Sequence, residues 1–186
     1  AGGFGFGRPG GGGGGGQAEM PFPTDDNSEA WKRLYQTAKK GLASDETYQR
    51  LLGRNPDGTR NPSFEVLLDP VNLIDYMLVI FYGGNMDAPV SKFGANGFAN
   101  NWYGFRHRKG ADGFRFIVWD AEHTLLDLYE DRTGPFACGD QYAQSNPQWL
   151  WQQCLENAEF RLLLADRIHR HFHHGGALAP EAVAAR

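Results

Sequence analysis

Asp69-Pro70-Val71-Asn72-Leu73-Ile74-Asp75-Tyr76-Met77-Leu78-Val79-Ile80-Phe81-Tyr82-Gly83-Gly84-Asn85-Met86-Asp87 decides how the rest of the chain is organised. Asp before Pro is a sharp helix start. The carboxylate caps the first turn, and Pro at the first helical position lacks only an N–H that would have no partner there. The following stretch, Val71 to Phe81, is almost wholly apolar, so the helix it predicts is buried on most sides. Periodicity alone does not separate this run from a buried strand; the Asp-Pro start favours helix. Gly83-Gly84 then ends the helix and delivers Asn85 and Asp87 just beyond it.

Downstream, residues 83–101 form a loop rich in Gly and Asn, followed by two aromatic runs, Trp102 to Arg106 and Phe114 to Val118. Their connector ends in Asp112-Gly113, which predicts a β-hairpin. The second strand leads into Trp119-Asp120-Ala121-Glu122, and residues 121–145 are mostly loop. Two helices are expected at about Gln148 to Glu156 and Ala158 to His173, with Gly175-Gly176 stopping the second. Pro180-Glu181 begins another.

Upstream of Asp69, a capped helix is expected from about Glu29 to Lys40, with Trp31, Leu34, Tyr35 and Ala38 on one face. A shorter one, Glu46 to Leu52, follows a Ser44/Asp45 cap. Arg54 to Pro62 is turn chemistry. Residues 1–16 hold 11 of the 25 glycines. Such a segment buries too little to offset its backbone entropy, so residues 1–24 are expected to be a flexible linker and residues 25–186 the folded unit. A phosphate-cradling reading of Gly3 to Gly7 would need a strand before it and a strand or helix after it.

Composition narrows the function classes. The 186 residues are 41% hydrophobic and 13% aromatic, enough for a real core, and the formal charge is −4. That balance excludes a non-specific nucleic-acid binder, which carries a basic excess. No apolar run approaches the length of a membrane span. Cys138 and Cys154 have no zinc spacing, and one disulfide or two buried thiols are both open.

The helix end and the strand end would bring Asp87 and Asp120 to one neighbourhood, where loops on rigid supports carry chemistry. Taken alone, an Asp after a glycine turn is ordinary turn chemistry. The ordered series Ile74-Asp75-Tyr76, Gly84-Asn85-Met86-Asp87, Asn100-Asn101-Trp102-Tyr103 and Phe116-Ile117-Val118-Trp119-Asp120 resembles the signature of the CotH (spore coat protein H-like) kinase family. Asn157-Ala158-Glu159-Phe160-Arg161, Ala165-Asp166-Arg167 and Gly175-Gly176-Ala177-Leu178 resemble that family's C-terminal helices. The resemblance runs from about Glu29 to Leu178.

The resemblance implies an α+β fold: the mainly helical C-terminal lobe of an atypical protein-kinase-like fold, with a small β-hairpin. It implies ATP- and Mg²⁺-dependent phosphorylation of Ser residues in a partner protein. By position, Asp87 resembles the carboxylate that orients and deprotonates the acceptor hydroxyl, and Asp120 the metal-binding Asp. Asn101 falls where a second-metal ligand is expected, Asn85 beside the nucleotide, and Glu122 where family members often have Asp in the metal shell. A cell-envelope, secreted or spore-coat location would go with that family. The alternatives are a non-catalytic CotH-like module binding a coat, envelope or matrix protein, and a metal-dependent hydrolase. A kinase site also needs a strand Lys and a Glu partner for it. Lys39-Lys40 lies on a predicted helix, so the N-terminal lobe is expected to be absent, the chain truncated at both ends, and this stretch alone inactive.

Other clusters invite weaker readings. His169 and His173 share a helix face, yet a helix end whose His and Arg complement the dipole explains them better than a metal. His123 is expected to be structural. Arg106, Arg108, Lys109 and Arg115 are expected on a solvated hairpin face, and Trp102 and Trp119 on the floor beneath the two carboxylates.

Overall fold

The computed structural model describes residues 2–6, 25–107 and 112–185. In chain order the elements are β1 (Gly2–Phe6), α1 (Asp25–Ala38), α2 (Asp45–Leu51), α3 (Pro70–Gly83), β2 (Val90–Ser91), β3 (Phe98–Ala99), β4 (Trp102–Arg106), β5 (Arg115–Val118), α4 (Pro147–Cys154), α5 (Ala158–Phe172) and α6 (Pro180–Ala184). Single turns of 3₁₀ helix occupy Lys92–Gly94 and Tyr142–Gln144. The class is α+β: one antiparallel sheet in the order β1-β4-β5, a two-stranded β2-β3 ladder, and helices packed around them.

The helix signals act as the residues dictate. Asp69 accepts from the Asn72 backbone N–H at 3.0 Å, Pro70 opens α3, and Gly84 closes it in the left-handed conformation at φ 55°. Asn146 caps α4 through the Trp149 N–H at 3.0 Å, and Asn157 caps α5 through the Glu159 and Phe160 N–H groups. Each such cap satisfies donors the first helical turn cannot satisfy itself.

The linker expectation needs correction at its start. Gly2–Phe6 pairs antiparallel with β4 over its whole length, Gly2 opposite Arg106 and Phe6 opposite Trp102. After pairing with β5, strand β4 has a second edge of unpaired N–H and C=O groups, and a partner strand satisfies it whatever side chains that strand carries. Residues 7–24 of the expected linker lie outside the described residues.

The other edge of the sheet is closed by a side chain. Asn72, on the first turn of α3, accepts the Phe116 N–H on Oδ1 at 2.5 Å and donates from Nδ2 to the Phe116 carbonyl at 3.2 Å. Arg115 Nε donates to Asp69 Oδ2 at 2.8 Å, and the Asp69 N–H reaches the Phe114 carbonyl. Gly113 lies so close to the Leu68 backbone that a Cβ there would fall 2.3 Å from a backbone atom. The N-terminal end of α3 is thereby locked to the start of β5.

Trp31 of α1 fills the space between helix and sheet. Its ring stands edge-on to Phe114 and Phe116 at 5.3 and 6.0 Å and tilted against Trp102 at 5.2 Å. Its indole N–H donates to Ser145 Oγ at 2.9 Å. Leu34, Tyr35 and Ala38 continue the buried face, as the spacing predicts. Arg106 is also buried and donates to Glu65 at 2.6 Å, so it does not lie on the solvated face expected for it; Arg108 and Lys109 lie outside the described residues. Cys138 and Cys154 are free buried thiols, and burial pushes the Cys138 thiol up to about 11. No helix among the described residues is long and apolar enough to cross a membrane.

Trp31→Ala removes the ring that three sheet aromatics pack against, and a buried Trp→Ala change costs about 3–5 kcal/mol. Urea unfolding followed by far-UV circular dichroism is expected to show that loss. Trp31→Phe is expected to cost less while leaving the Ser145 hydroxyl without its donor.

Candidate functional site

Two loops build the site, one after α3 and one after β5. They are joined by backbone hydrogen bonds: Met86 N–H to the His123 carbonyl at 3.0 Å, and Leu125 N–H to the Gly83 carbonyl at 2.7 Å. A third segment, the β2-β3 hairpin, is attached through Lys92 N–H to the Met86 carbonyl at 2.7 Å. The three segments enclose a cavity of about 830 Å³ whose lining includes Asp87, Ser91, Phe93, Asn101, Trp119 and Asp120.

Asp87 is held from three directions. Its backbone N–H donates to Asn85 Oδ1 at 2.9 Å, a local turn that fixes the residue. Ser91 Oγ donates to Asp87 Oδ1 at 2.5 Å, and Asn101 Nδ2 donates to Asp87 Oδ2 at 2.9 Å. The same Asn101 amide lies 3.4 Å from the Asp120 backbone carbonyl. Asn101 therefore spans from one loop to the other, and Asp87 and Asp120 lie at one cavity, as expected of the helix end and strand end that carry them.

Backbone conformation marks the same place. Asn101 and Asp120 both have positive φ, 48° and 50°. Asn and Asp tolerate the left-handed region better than other side-chain-bearing residues, and such residues concentrate at functional sites.

The carboxylates repel one another. The Asp120 carboxyl is raised above the ordinary Asp range, first by its hydrogen bond and charge interaction with Glu122, then by desolvation and then by Asp87; His123 works in the opposite direction. Glu122 thus acts on Asp120 from outside the cavity lining. Asn85 does not line the cavity either: its side chain is buried and turned to the Asp87 backbone, so it supports Asp87 and does not face a ligand.

Asp120, Glu122 and Asp87 offer carboxylate oxygens, the hard donors that Mg²⁺ prefers. Among the described residues, no group of three or more His, Cys, Asp or Glu side chains could hold a metal ion unaided. Mg²⁺ commonly takes one or two carboxylates and completes its shell with phosphate oxygens and water, so this donor set fits a metal brought with a phosphate ligand.

Several residues of the site carry no local sequence signal. Ser91 is one. Another group is Arg132, Glu130 and Lys92 beneath the loops. Arg132 is buried and donates to Asn96 Oδ1 at 2.9 Å, to Glu130 at 3.3 Å and to the Val90 carbonyl, while Glu130 also pairs with Lys92. This network fixes the β2-β3 segment that carries Ser91. Trp119 differs from its expected place on the floor: it is 60% exposed and lines the cavity, whereas Trp102 is buried in the core.

His169, His171, His173 and His174 are not among the residues lining the cavity. His171 Nε2 lies 3.0 Å from Asp75 Oδ1, beside the Arg167–Asp75 ion pair, which ties α5 to α3. His123 packs edge-on against Phe93 at 4.9 Å. No family model, curated protein or solved structure matches this chain.

A carboxyl raised in the folded state is one whose charged form the fold disfavours, so its ionisation lowers stability at neutral pH. Asp120→Asn is expected to raise the melting temperature at pH 7. The gain should shrink as pH falls through the raised carboxyl range, because the parent then carries the proton itself.

Proposed function

We propose that this chain belongs to a CotH-like protein kinase that transfers the γ-phosphoryl group of ATP to Ser residues of a partner protein. The observation that carries the reading is Asn101: one amide bonded to the Asp87 carboxylate and set against the Asp120 backbone, inside one cavity. Phosphoryl transfer needs little covalent help from a protein. It needs neutralisation of phosphate charge and an oriented nucleophile.

Asp120, with Glu122 beside it, would hold Mg²⁺, and the metal when bound would neutralise charge on the β- and γ-phosphates. Asp87 would orient the Ser hydroxyl and take its proton as the acceptor oxygen bonds to the γ-phosphorus. The bond from that phosphorus to the β–γ bridging oxygen breaks, and ADP leaves. Asn101 would keep Asp87 in register with the metal side of the cavity. No Lys among the described residues lines the cavity.

The two carboxylates are expected to fail differently. Asp120→Ala should weaken Mg·ATP binding at least tenfold, followed by quenching of tryptophan fluorescence, to which Trp119 in the cavity contributes. Asp87→Ala should leave that affinity within about twofold and lower phosphate incorporation by about 10²–10⁴-fold, the usual span of general base catalysis. Transfer is measured in the full gene product with a Ser-rich acceptor protein. If the parent binds no Mg·ATP, the non-catalytic module that binds a coat, envelope or matrix protein takes the place of this reading. If both variants keep full transfer, the site lies elsewhere.

A further inference from the structure

We infer that Ser91 is a positioning residue for the proposed base, its hydroxyl locking the Asp87 carboxylate in the orientation that an acceptor hydroxyl needs. The inference rests on the kinase reading of the cavity and extends it to a residue no motif marks.

An ionised carboxylate has two oxygens with about four acceptor sites. In this site each oxygen receives one side-chain donor: Oδ1 the Ser91 hydroxyl at 2.5 Å, Oδ2 the Asn101 amide at 2.9 Å. The donors come from opposite sides in the chain, Ser91 from β2 and Asn101 from the residue before β4. Two donors on two oxygens leave the carboxylate plane no free rotation. Acceptor capacity remains on both oxygens for an incoming hydroxyl.

Ser91 is itself held firmly. It is 4% exposed, its strand pairs with β3 opposite Phe98, and the carbonyl of its neighbour Val90 accepts from the buried Arg132. A hydroxyl on so fixed a backbone is suited to orienting a neighbour. It is poorly suited to entering the cavity as an acceptor, since in-line attack would require it to leave this packing. Loss of a single positioning contact can misplace a reacting group by an ångström, which costs up to about 10²-fold in rate.

The test uses the full gene product with Mg·ATP and a Ser-rich acceptor protein. Ser91→Ala is expected to lower kcat by about 10- to 100-fold, with Mg·ATP affinity and melting temperature close to the parent's. Ser91→Thr, which keeps the hydroxyl, is expected to recover most of the lost rate. In an Asp87→Ala background, Ser91→Ala should have no further effect, because its only route to the reaction is the carboxylate. Three results overturn the inference while leaving the kinase reading intact. One is an unchanged kcat in Ser91→Ala; another is a rate loss that adds fully to that of Asp87→Ala. The third is phosphate found on Ser91 by mass spectrometry, which would make the hydroxyl a substrate. If Asp87→Ala itself keeps full transfer, the kinase reading falls and this inference falls with it.

Discussion

Helix α3 is fastened to the β5 segment at both ends, and the geometry of the cavity depends on that double attachment. At its start, Asp69 and Asn72 hold Phe114, Arg115 and Phe116 by backbone and side-chain hydrogen bonds. At its end, Gly83 and Met86 hold Leu125 and His123. A 14-residue helix rises about 20 Å, so the chain leaving β5 is compelled to run alongside it and arrive at its C-terminus. Asp120 lies between the two attachments. Its approach to Asp87 follows from the helix length together with the cap at one end and the left-handed glycine at the other.

The interactions that fix the loops differ in kind from those that fix the core. Trp31, Trp102, Phe114 and Phe116 form an aromatic wedge that orders the sheet through packing. Packing of this sort is tolerant of small shifts and does not specify an oxygen to within a fraction of an ångström. Around Asp87 the work passes to directional bonds from Asn85, Ser91 and Asn101. These in turn stand on the buried Arg132–Glu130 pair and on Asn96. Burying that ion pair contributes little net stability by itself, but breaking it would strand a charge. The β2-β3 hairpin is thereby held to one arrangement.

Local chemistry made the helices and the hairpin legible. Asp69-Pro70 and the Ser44/Asp45 cap announce helix starts through residues that can act only in a few ways there, and Gly83-Gly84 announces an end. The approach of Asp87 to Asp120 was legible from the helix end and the strand end that carry them, but nothing in the spacing of residues 14 and 19 apart states that Asn101 joins them. Ser91 and Arg132 were not legible, because each acts through a partner distant in sequence or through a loop whose shape the sequence does not declare. The strand at Gly2–Phe6 was missed for a different reason. Its side chains carry no strand signal, and the demand for a strand comes from the open edge of β4, a hundred residues away.

What sets this cavity apart from an ordinary loop junction is that stability and placement pull in opposite directions there. Asp87, Asp120 and Glu122 would repel one another less if spread apart, and Asn101 and Asp120 would relax at negative φ. A fold selected only for stability would place a lysine, or a glycine, at one of these positions. Asn101 instead ties the Asp87 carboxylate to the Asp120 backbone, and positive φ falls on Asn101 and Asp120, which both line the cavity.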